Sequence, residues 1–596
     1  MQSINRIRNY LKKPYNVILI MLILNLGYLI VVPLFSILMD TFTVHLSEAR
    51  RIRGSEVGDF TTYHWRMVFA SSGSWNLLYK PLLNSIVCSI GPCIVAIVLG
   101  GGFAWLITRT NIKMKKLLSA LCIFPYIMPS WTLALAWLNF FKNSKIGGAP
   151  GIYTALTGFQ TPDWFAYGPV PIIIVTGLHY APFAYILIGG ILRNMDANLE
   201  EAAMILRTPR SRIMWRITIP MIMPAILSTF LLVFSSSMSS FAVPAFLGLP
   251  VRYQVLTTQL FRTLNGLNPG YGYIIALIMM LFGAAILFVN QRILGSRKSF
   301  ATVTGKSANV SLINLRGWQT PLSVIILITL LLISVIPLLS FAVASLITIP
   351  GDYSLSNFSL TFWLGEGDPT IANSEPGILR NPNIYIGLWN SLKLSLLCAL
   401  TAGTIGFLAG YAIVRRWGST FSSIVNNLTF FPYLMPAMAF SAIYLSLFAE
   451  QRGPIPALYG TFTLLVVVGT IKYLPFASRA GINSMLQLSK EIEEAAIVMG
   501  VGWWKRMAFI IVPIQKSAFM SGYLLPFISC MRELSLFILL VTPSSKMLTT
   551  MLFQYNEKGW DQYANAINLI IILIVLLVNF TINKITGASI DKGIGG

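Results

Sequence analysis

The chain has 596 residues, of which 55% are hydrophobic and 11% charged. That charged share is roughly half of what soluble proteins carry, which excludes a string of water-soluble domains in spite of the length. A formal charge of +23 invites a nucleic-acid reading, but the placement of the basic residues along the chain excludes that too.

Apolar runs long enough to cross a bilayer recur throughout, since about 20 residues suffice for one helix. In chain order they fall near 17–39, 81–107, 117–141, 169–192, 219–247 and 271–290, then 321–348, 391–414, 423–448, 456–478, 510–541 and 566–583. The two longest, 219–247 and 510–541, leave room for bends or surface segments. Arg6, Arg8, Lys12 and Lys13 precede the first run; Arg109, Lys113, Lys115 and Lys116 follow the second. Arg207, Arg210, Arg212 and Arg216 follow the fourth, and Arg292, Arg297, Lys298, Lys306 and Arg316 separate the sixth from the seventh. Loops between these basic stretches are poorer in base, as in 351–380 with Asp352, Glu366, Asp368 and Glu375 against Arg380. This alternation is the positive-inside signature, so both termini and the mid-chain linker are expected in the cytoplasm. The first run is too long for a signal-peptide core and is kept as an anchor. Cys88, Cys93, Cys122, Cys398 and Cys530 fall inside runs with no C-x-x-C pair, and read as small packing residues.

The two halves of the chain repeat. Asn84-Ser85 recurs as Asn390-Ser391, Phe124-Pro125-Tyr126-Ile127-Met128-Pro129 as Phe431-Pro432-Tyr433-Leu434-Met435-Pro436, and Tyr180-Ala181-Pro182-Phe183-Ala184 as Tyr473-Leu474-Pro475-Phe476-Ala477. The offset falls from about 307 to 293, which places an insertion of roughly fourteen residues in the loop near 142–168, where it moves no packed helix. Six spans per half return the chain to the side it left. The expected fold is therefore an all-α integral membrane protein of twelve transmembrane helices. They form two parallel six-helix repeats about an axis along the membrane normal. The division is 1–290, a linker at 291–318, and 319–596. Repeated prolines inside spans serve either packing alone or the shaping of a gated cavity.

Between the fourth and fifth runs of each half lies a short polar segment with one pattern. The first reads Glu201-Ala202-Ala203 and closes with Ile217-Thr218-Ile219-Pro220; the second reads Glu494-Ala495-Ala496 and closes with Ile510-Ile511-Val512-Pro513. Leu199, Ala202, Ala203 and Leu206 follow helical spacing, as do Ile492, Ala495, Ala496 and Met499, so each segment is expected to be a short helix with one apolar stripe. Asp196 and Ser489 are matched N-cap candidates, with Glu200–Glu201 and Glu493–Glu494 in the first turn.

The doubled pattern resembles the EAA loop of permease subunits in ATP-driven, binding-protein-dependent ABC importers of the MetI-like fold, here two permeases fused end to end. Met531-Arg532-Glu533-Leu534 and Ser240-Phe241-Ala242-Val243-Pro244-Ala245 look like segments of the ferric-iron branch. The resemblance implies that the EAA helices, at Glu201, Ala202, Ala203, Glu494, Ala495 and Ala496, dock into two copies of a cytoplasmic ATPase. It further implies that ATP and Mg are held there and not on this chain. Solute would come from an extracytoplasmic binding protein, and the chain would sit in a bacterial plasma membrane. Gly500 matches the family's turn glycine, whereas Arg207 stands at that position in the first half, so two docking sites are expected with the first altered in shape or strength.

Ionisable residues inside spans are costly and mark candidate paths. His179 and Lys472 occupy matched positions, and Arg532-Glu533 falls in the eleventh run at the positions of Ser239-Ser240 in the fifth. The alternatives are that Lys472 snorkels to an interface and that His179 bonds a backbone carbonyl. Gly305-Lys306-Ser307 lacks the upstream glycine and the strand–helix context of a phosphate loop and is rejected. Ferric iron is the first expected cargo; a phosphorylated sugar, phosphonate or other small anion is the second, favoured if the three basic side chains line the path. An ion-coupled secondary transporter would need more membrane carboxylates than Glu533 and would have no use for a doubled EAA loop. No metal-ligand spacing or nucleophile–base set points to a membrane enzyme.

Overall fold

The computed structural model describes residues 10, 12–45, 52, 55–195, 198–266, 268–295 and 312–586. Arg6, Arg8, Asp196, Arg297, Lys298 and the Gly305-Lys306-Ser307 stretch lie outside these. The principal helices of the first half are α1 (Pro14–Asp40), α2 (Lys80–Arg109), α3 (Lys115–Ile127), α4 (Ser130–Phe141), α5 (Pro169–Asn194), α6 (Asn198–Ile205), α7 (Ile219–Met238) and α8 (Pro269–Gly295). Those of the second are α9 (Gln319–Ser334), α10 (Ile336–Leu346), α11 (Pro382–Arg415), α12 (Thr420–Leu434), α13 (Ala437–Phe448), α14 (Phe462–Gln487), α15 (Lys490–Val498), α16 (Lys516–Met531) and α17 (Asp561–Thr586). Among the described residues nine helical segments are long and apolar enough to cross a bilayer, and three bent pairs meet the same test only when joined.

The bends have sequence causes. A residue before proline is pushed out of the helical region. Met128, ahead of Pro129, is extended (φ −70°, ψ 150°), and α3 and α4 meet at 96°. Met435, ahead of Pro436, is likewise extended (φ −84°, ψ 130°), and the matching bend is 107°. The run at 510–541 is not one span: it bends by 78° near Gln515, and α16 ends at Met531. The run at 219–247 ends at Met238, and a separate short helix follows at Ala242–Gly248. The tenth span is displaced from 456–478 to Phe462–Gln487. Each proline that closes an EAA segment follows one turn of π-helix, Met214–Thr218 and Met507–Ile511. The wider turn accommodates a ring that an α-helical carbonyl would strike.

Each half is built around its second and fourth helices. Gly100 of α2 lies against the Ala181 carbonyl and Ala184 of α5; Gly406 of α11 would place a Cβ 2.6 Å from the Ala477 carbonyl carbon of α14. Ala184 and Ala477 are matched positions, so the same backbone approach occurs twice and neither glycine admits a side chain. The Asn-Ser repeat also acquires a role. Asn84 donates to the Gln254 carbonyl (2.8 Å) and Ser85 accepts from Leu256 N (2.7 Å); Asn390 and Ser391 do the same with the Lys546 carbonyl (3.0 Å) and Leu548 N (3.0 Å).

The halves are exchanged at their first helices: α1 packs on α11, α12 and α13, while α9 packs on α3 and α10 on α4. Polar contacts reinforce the exchange. Arg452, beyond α13, pairs with Asp40 of α1 at 2.9 Å, and Lys142, beyond α4, pairs with Asp561 of α17. Trp131 Nε1 donates to Asn568 Oδ1 at 3.2 Å, and Asn139 Nδ2 to Asn565 Oδ1 at 3.0 Å. One continuous apolar core, from Leu26 through Trp131 and Phe241 to Phe537 and Ile571, therefore spans both halves.

Candidate functional site

Between the halves lies a cavity of about 280 Å³, walled by the bends between α3 and α4 (Tyr126, Met128, Pro129) and between α12 and α13 (Tyr433, Met435). All six path candidates, His179, Ser239, Ser240, Lys472, Arg532 and Glu533, line it. Of the prolines in the repeated motifs, Pro129 lines the cavity.

A broken helix leaves carbonyls without amide partners, and in an apolar surround these need donors from elsewhere. Arg532 supplies them across the interface, donating from Nη1 to the Tyr126 carbonyl at 2.6 Å and to Ile127 at 3.3 Å, with its guanidinium 5.4 Å from the Tyr126 ring centroid. Lys472 supplies them within its own half, donating to the carbonyls of Pro432 (2.9 Å) and Met435 (2.5 Å). Lys472 therefore does not snorkel. His179, at the position matching Lys472, stacks on Tyr126 with centroids 6.0 Å apart. Its buried Nδ1 makes no hydrogen bond among the described residues.

Arg532 and Glu533 are not on a helix, because α16 ends one residue earlier. Glu533 Oε1 accepts from Leu536 N at 3.1 Å and its other oxygen from the Tyr473 hydroxyl at 3.3 Å, so the carboxylate holds the turn that follows α16. The Ser239 hydroxyl donates to the Ser235 carbonyl of its own helix (2.8 Å). The Ser240 carbonyl accepts from Thr257 (2.7 Å), as the Glu533 carbonyl does from Thr549 (3.0 Å).

The second candidate site is the pair of short helices α6 and α15. Glu201, Ala202, Glu494 and Ala495 are exposed, whereas Ala203 is half-buried and Ala496 buried. The apolar stripe expected from spacing is thus divided: the second alanine faces the protein, and the bare apolar surface gathers at the helix ends, at Ile205 and Leu206 and at Val498 and Met499 (79–88% exposed for Leu206, Ile205 and Val498). Ser489 Oγ accepts from Glu491 N at 3.3 Å, the expected cap.

Arg207 and Gly500 occupy the same turn. Arg207 has φ 57° and Gly500 φ 73°. Thr208 N donates to the Ala203 carbonyl (3.1 Å) and Arg207 N to Met204 (2.9 Å); Val501 N donates to Ala496 (3.0 Å) and Gly500 N to Ile497 (2.9 Å). Both are Schellman closures. The backbone shape expected to differ in the first half is the same, and Arg207 adopts it against the left-handed penalty of about 1–2 kcal/mol.

Sequence spacing placed Glu200 and Glu493 only as first-turn acids beside Glu201 and Glu494, and did not show that they pair with arginines. Glu200 faces Arg109, the last residue of α2, at 3.7 Å, and accepts from the Thr218 hydroxyl at 2.6 Å. Glu493 faces Arg415, the last residue of α11, at 2.6 Å, Arg506 at 3.7 Å, and the Tyr411 hydroxyl at 2.7 Å. The available signal was the matched pair of arginines at Arg109 and Arg415; Arg109 read only as topology, and its counterpart Arg415 was not noticed.

Comparison with known proteins gives the family. The family model of the binding-protein-dependent transport system inner membrane component matches twice, over residues 96–300 and 402–589. The ferric transport system permease protein FbpB of Actinobacillus pleuropneumoniae is 25% identical over 86% of this chain and 72% of its own length. A putative ferric transport system permease protein FbpB 1 of Haemophilus influenzae is 25% identical over 79% and 71% respectively. A probable sulfate transport system permease protein cysT of Helicosporidium is 25% identical over 37% of this chain and 84% of its own length. Two copies of the family's domain, carried on apolar helices in a single polypeptide, make this chain a multi-pass inner-membrane permease of the binding-protein-dependent transport family.

Proposed function

We propose that this chain is the fused transmembrane subunit of an ATP-driven importer and that its cargo is ferric iron. Each half spans the bilayer six times, 1–290 and 319–596 on either side of a cytoplasmic linker, with a pseudo-two-fold axis along the membrane normal. Both termini and both EAA helices face the cytoplasm. Glu201, Ala202, Ala203, Arg207, Glu494, Ala495, Ala496 and Gly500 form two docking knobs for two ATPase subunits. His179, Ser239, Ser240, Lys472, Arg532 and Glu533 border the route that opens alternately to each side. The observation that carries this reading is the pair of identically closed helices with bare apolar ends. The names of the relatives support ferric iron.

A second cargo class is supported by the cavity itself, which presents Lys472 and Arg532 against the single carboxylate of Glu533. Such a balance suits a small oxyanion, and the sulfate-permease relative is consistent with it. The test is uptake of radioactive iron into proteoliposomes holding the permease, its ATPase and its receptor protein. ATP-dependent iron uptake, undiminished by excess sulfate or phosphate, supports the iron reading. Uptake of labelled sulfate or phosphate with none of iron replaces the cargo, and uptake without any ATPase overturns the importer reading.

A further inference from the structure

Two ion pairs at equivalent positions tie the EAA helices to the rest of the molecule. Arg109 ends α2 and Arg415 ends α11; Glu200 and Glu493 sit in the first turns of α6 and α15. Glu493 and Arg415 are 8% and 7% exposed, while the adjoining Glu494 is open to solvent. The surroundings of the pair are not repeated. Tyr411 and Arg506 support Glu493, but Trp105 and Ile213 hold the matching positions in the first half, where Thr218 supports Glu200 instead. Only the acid and its arginine occur in both halves.

A buried carboxylate–guanidinium pair resists separation, because each partner left alone is a charge without solvent. The connection is one of charge, since the guanidinium nitrogens of Arg109 and Arg415 make no hydrogen bond among the described residues. The chain already joins α15 to α14 through Gln487–Ser489, and the ion pair joins it to α11. Those two helices are in backbone contact at Gly406 and Ala477, and α14 carries Lys472 into the cavity. The same path runs from α6 through Glu200 and Arg109 to α2, then by Gly100 and Ala184 to α5 and His179.

We infer that Glu200 with Arg109, and Glu493 with Arg415, are the joints that make each EAA helix move as one body with the second and fourth helices of its half. This rests on the importer reading above. Glu493 and Glu200 are positioning residues; neither lines the cavity. The joint of the second half, at 2.6 Å against 3.7 Å, is the tighter of the two.

The joint is testable on the permease alone. Spin labels at Met499→Cys, on the exposed end of α15, and at Leu400→Cys, on the exposed face of α11, report their separation; the five native cysteines are buried. Wild type is expected to give a narrow distance distribution. Glu493→Gln and Arg415→Gln should broaden it, and the exchange Glu493→Arg with Arg415→Glu should narrow it again. An unchanged width in both single variants overturns the joint. In the reconstituted importer, Glu493→Gln should retain ATPase pull-down and raise the ATP consumed per solute by about tenfold. The exchange variant should recover most of the coupling. Loss of pull-down together with coupling, unrescued by the exchange, assigns the pair to folding and overturns the inference. Failure of wild type to bind any ATPase defeats the importer reading instead, and the label measurement still decides the joint.

Discussion

Arg532, just past the end of α16 in the second half, donates a 2.6 Å hydrogen bond to the backbone carbonyl of Tyr126 near the bend between α3 and α4 of the first half. The first half has Ser239 at the matching position, and its hydroxyl stays on its own helix. A single fused chain can specialise its halves in this way. One cationic side chain closes the interface from one side only, and a homodimeric arrangement would have to duplicate it.

Replacing Arg532 with Gln should leave the Tyr126 and Ile127 carbonyls short of donors and cost about 1–3 kcal/mol. Lys at this position keeps the charge but loses the planar guanidinium that lies over the Tyr126 ring while a single nitrogen serves both carbonyls, and should restore only part of the loss. Thermal unfolding of the purified permease, followed by tryptophan fluorescence, checks both. Equal melting temperatures for all three proteins would remove the cross-half role.

Arg207→Gly should stabilise the first EAA turn, since the left-handed backbone there costs an arginine about 1–2 kcal/mol and costs glycine almost nothing. Gly500→Arg should destabilise the second turn by a similar amount. Protease accessibility of the two turns reads the effect: slower nicking near 207 in the first variant, faster nicking near 500 in the second.

Charge reversal at Glu494 is expected to weaken ATPase capture more than the same change at Glu201. The two turns have the same closure, but Gly500 adopts the left-handed backbone freely whereas Arg207 carries its penalty, so the second knob is the one presented without strain. Equal losses in a pull-down would show that the turn residue does not rank the two docking knobs.

Gly406→Ala should force α11 and α14 apart, because the added methyl meets the Ala477 carbonyl carbon at 2.6 Å. Overpacking of this kind costs about 1–3 kcal/mol. The yield of monodisperse protein and its melting temperature should both fall, and Gly100→Ala should do the same against α5. A neutral outcome at both positions would mean that the helices have room that the static packing does not show.

Asp40→Asn removes the charge that faces Arg452 while leaving an amide oxygen to accept from the Ser446 hydroxyl. The single change should lower stability by about 1–3 kcal/mol. Adding Arg452→Gln should cost less than the sum of the two separate losses, since both act on one contact. Strict additivity would indicate that α1 and the α13 loop are held together by other means.

The primary sequence by itself determined the segments and their chemistry. Apolar runs, the doubled Glu-Ala-Ala pattern, the turn position shared by Arg207 and Gly500, and the six candidate cavity residues could all be read from it. Hydrophobicity, proline and left-handed turns act over a few neighbouring residues. What only the tertiary structure decided was partnership across long separations. Arg532 caps a helix 406 positions away, α1 and α9 lie on the opposite halves, and Glu200 and Glu493, not the adjacent glutamates, face the arginines that close α2 and α11. Which of two neighbouring carboxylates turns inward depends on the rotation of a short helix against the body, and that rotation is set by packing rather than by local preference. The end of α16 at Met531 was hidden as well: the turn that follows it is held by Glu533, whose contact with Tyr473 joins residues 60 positions apart.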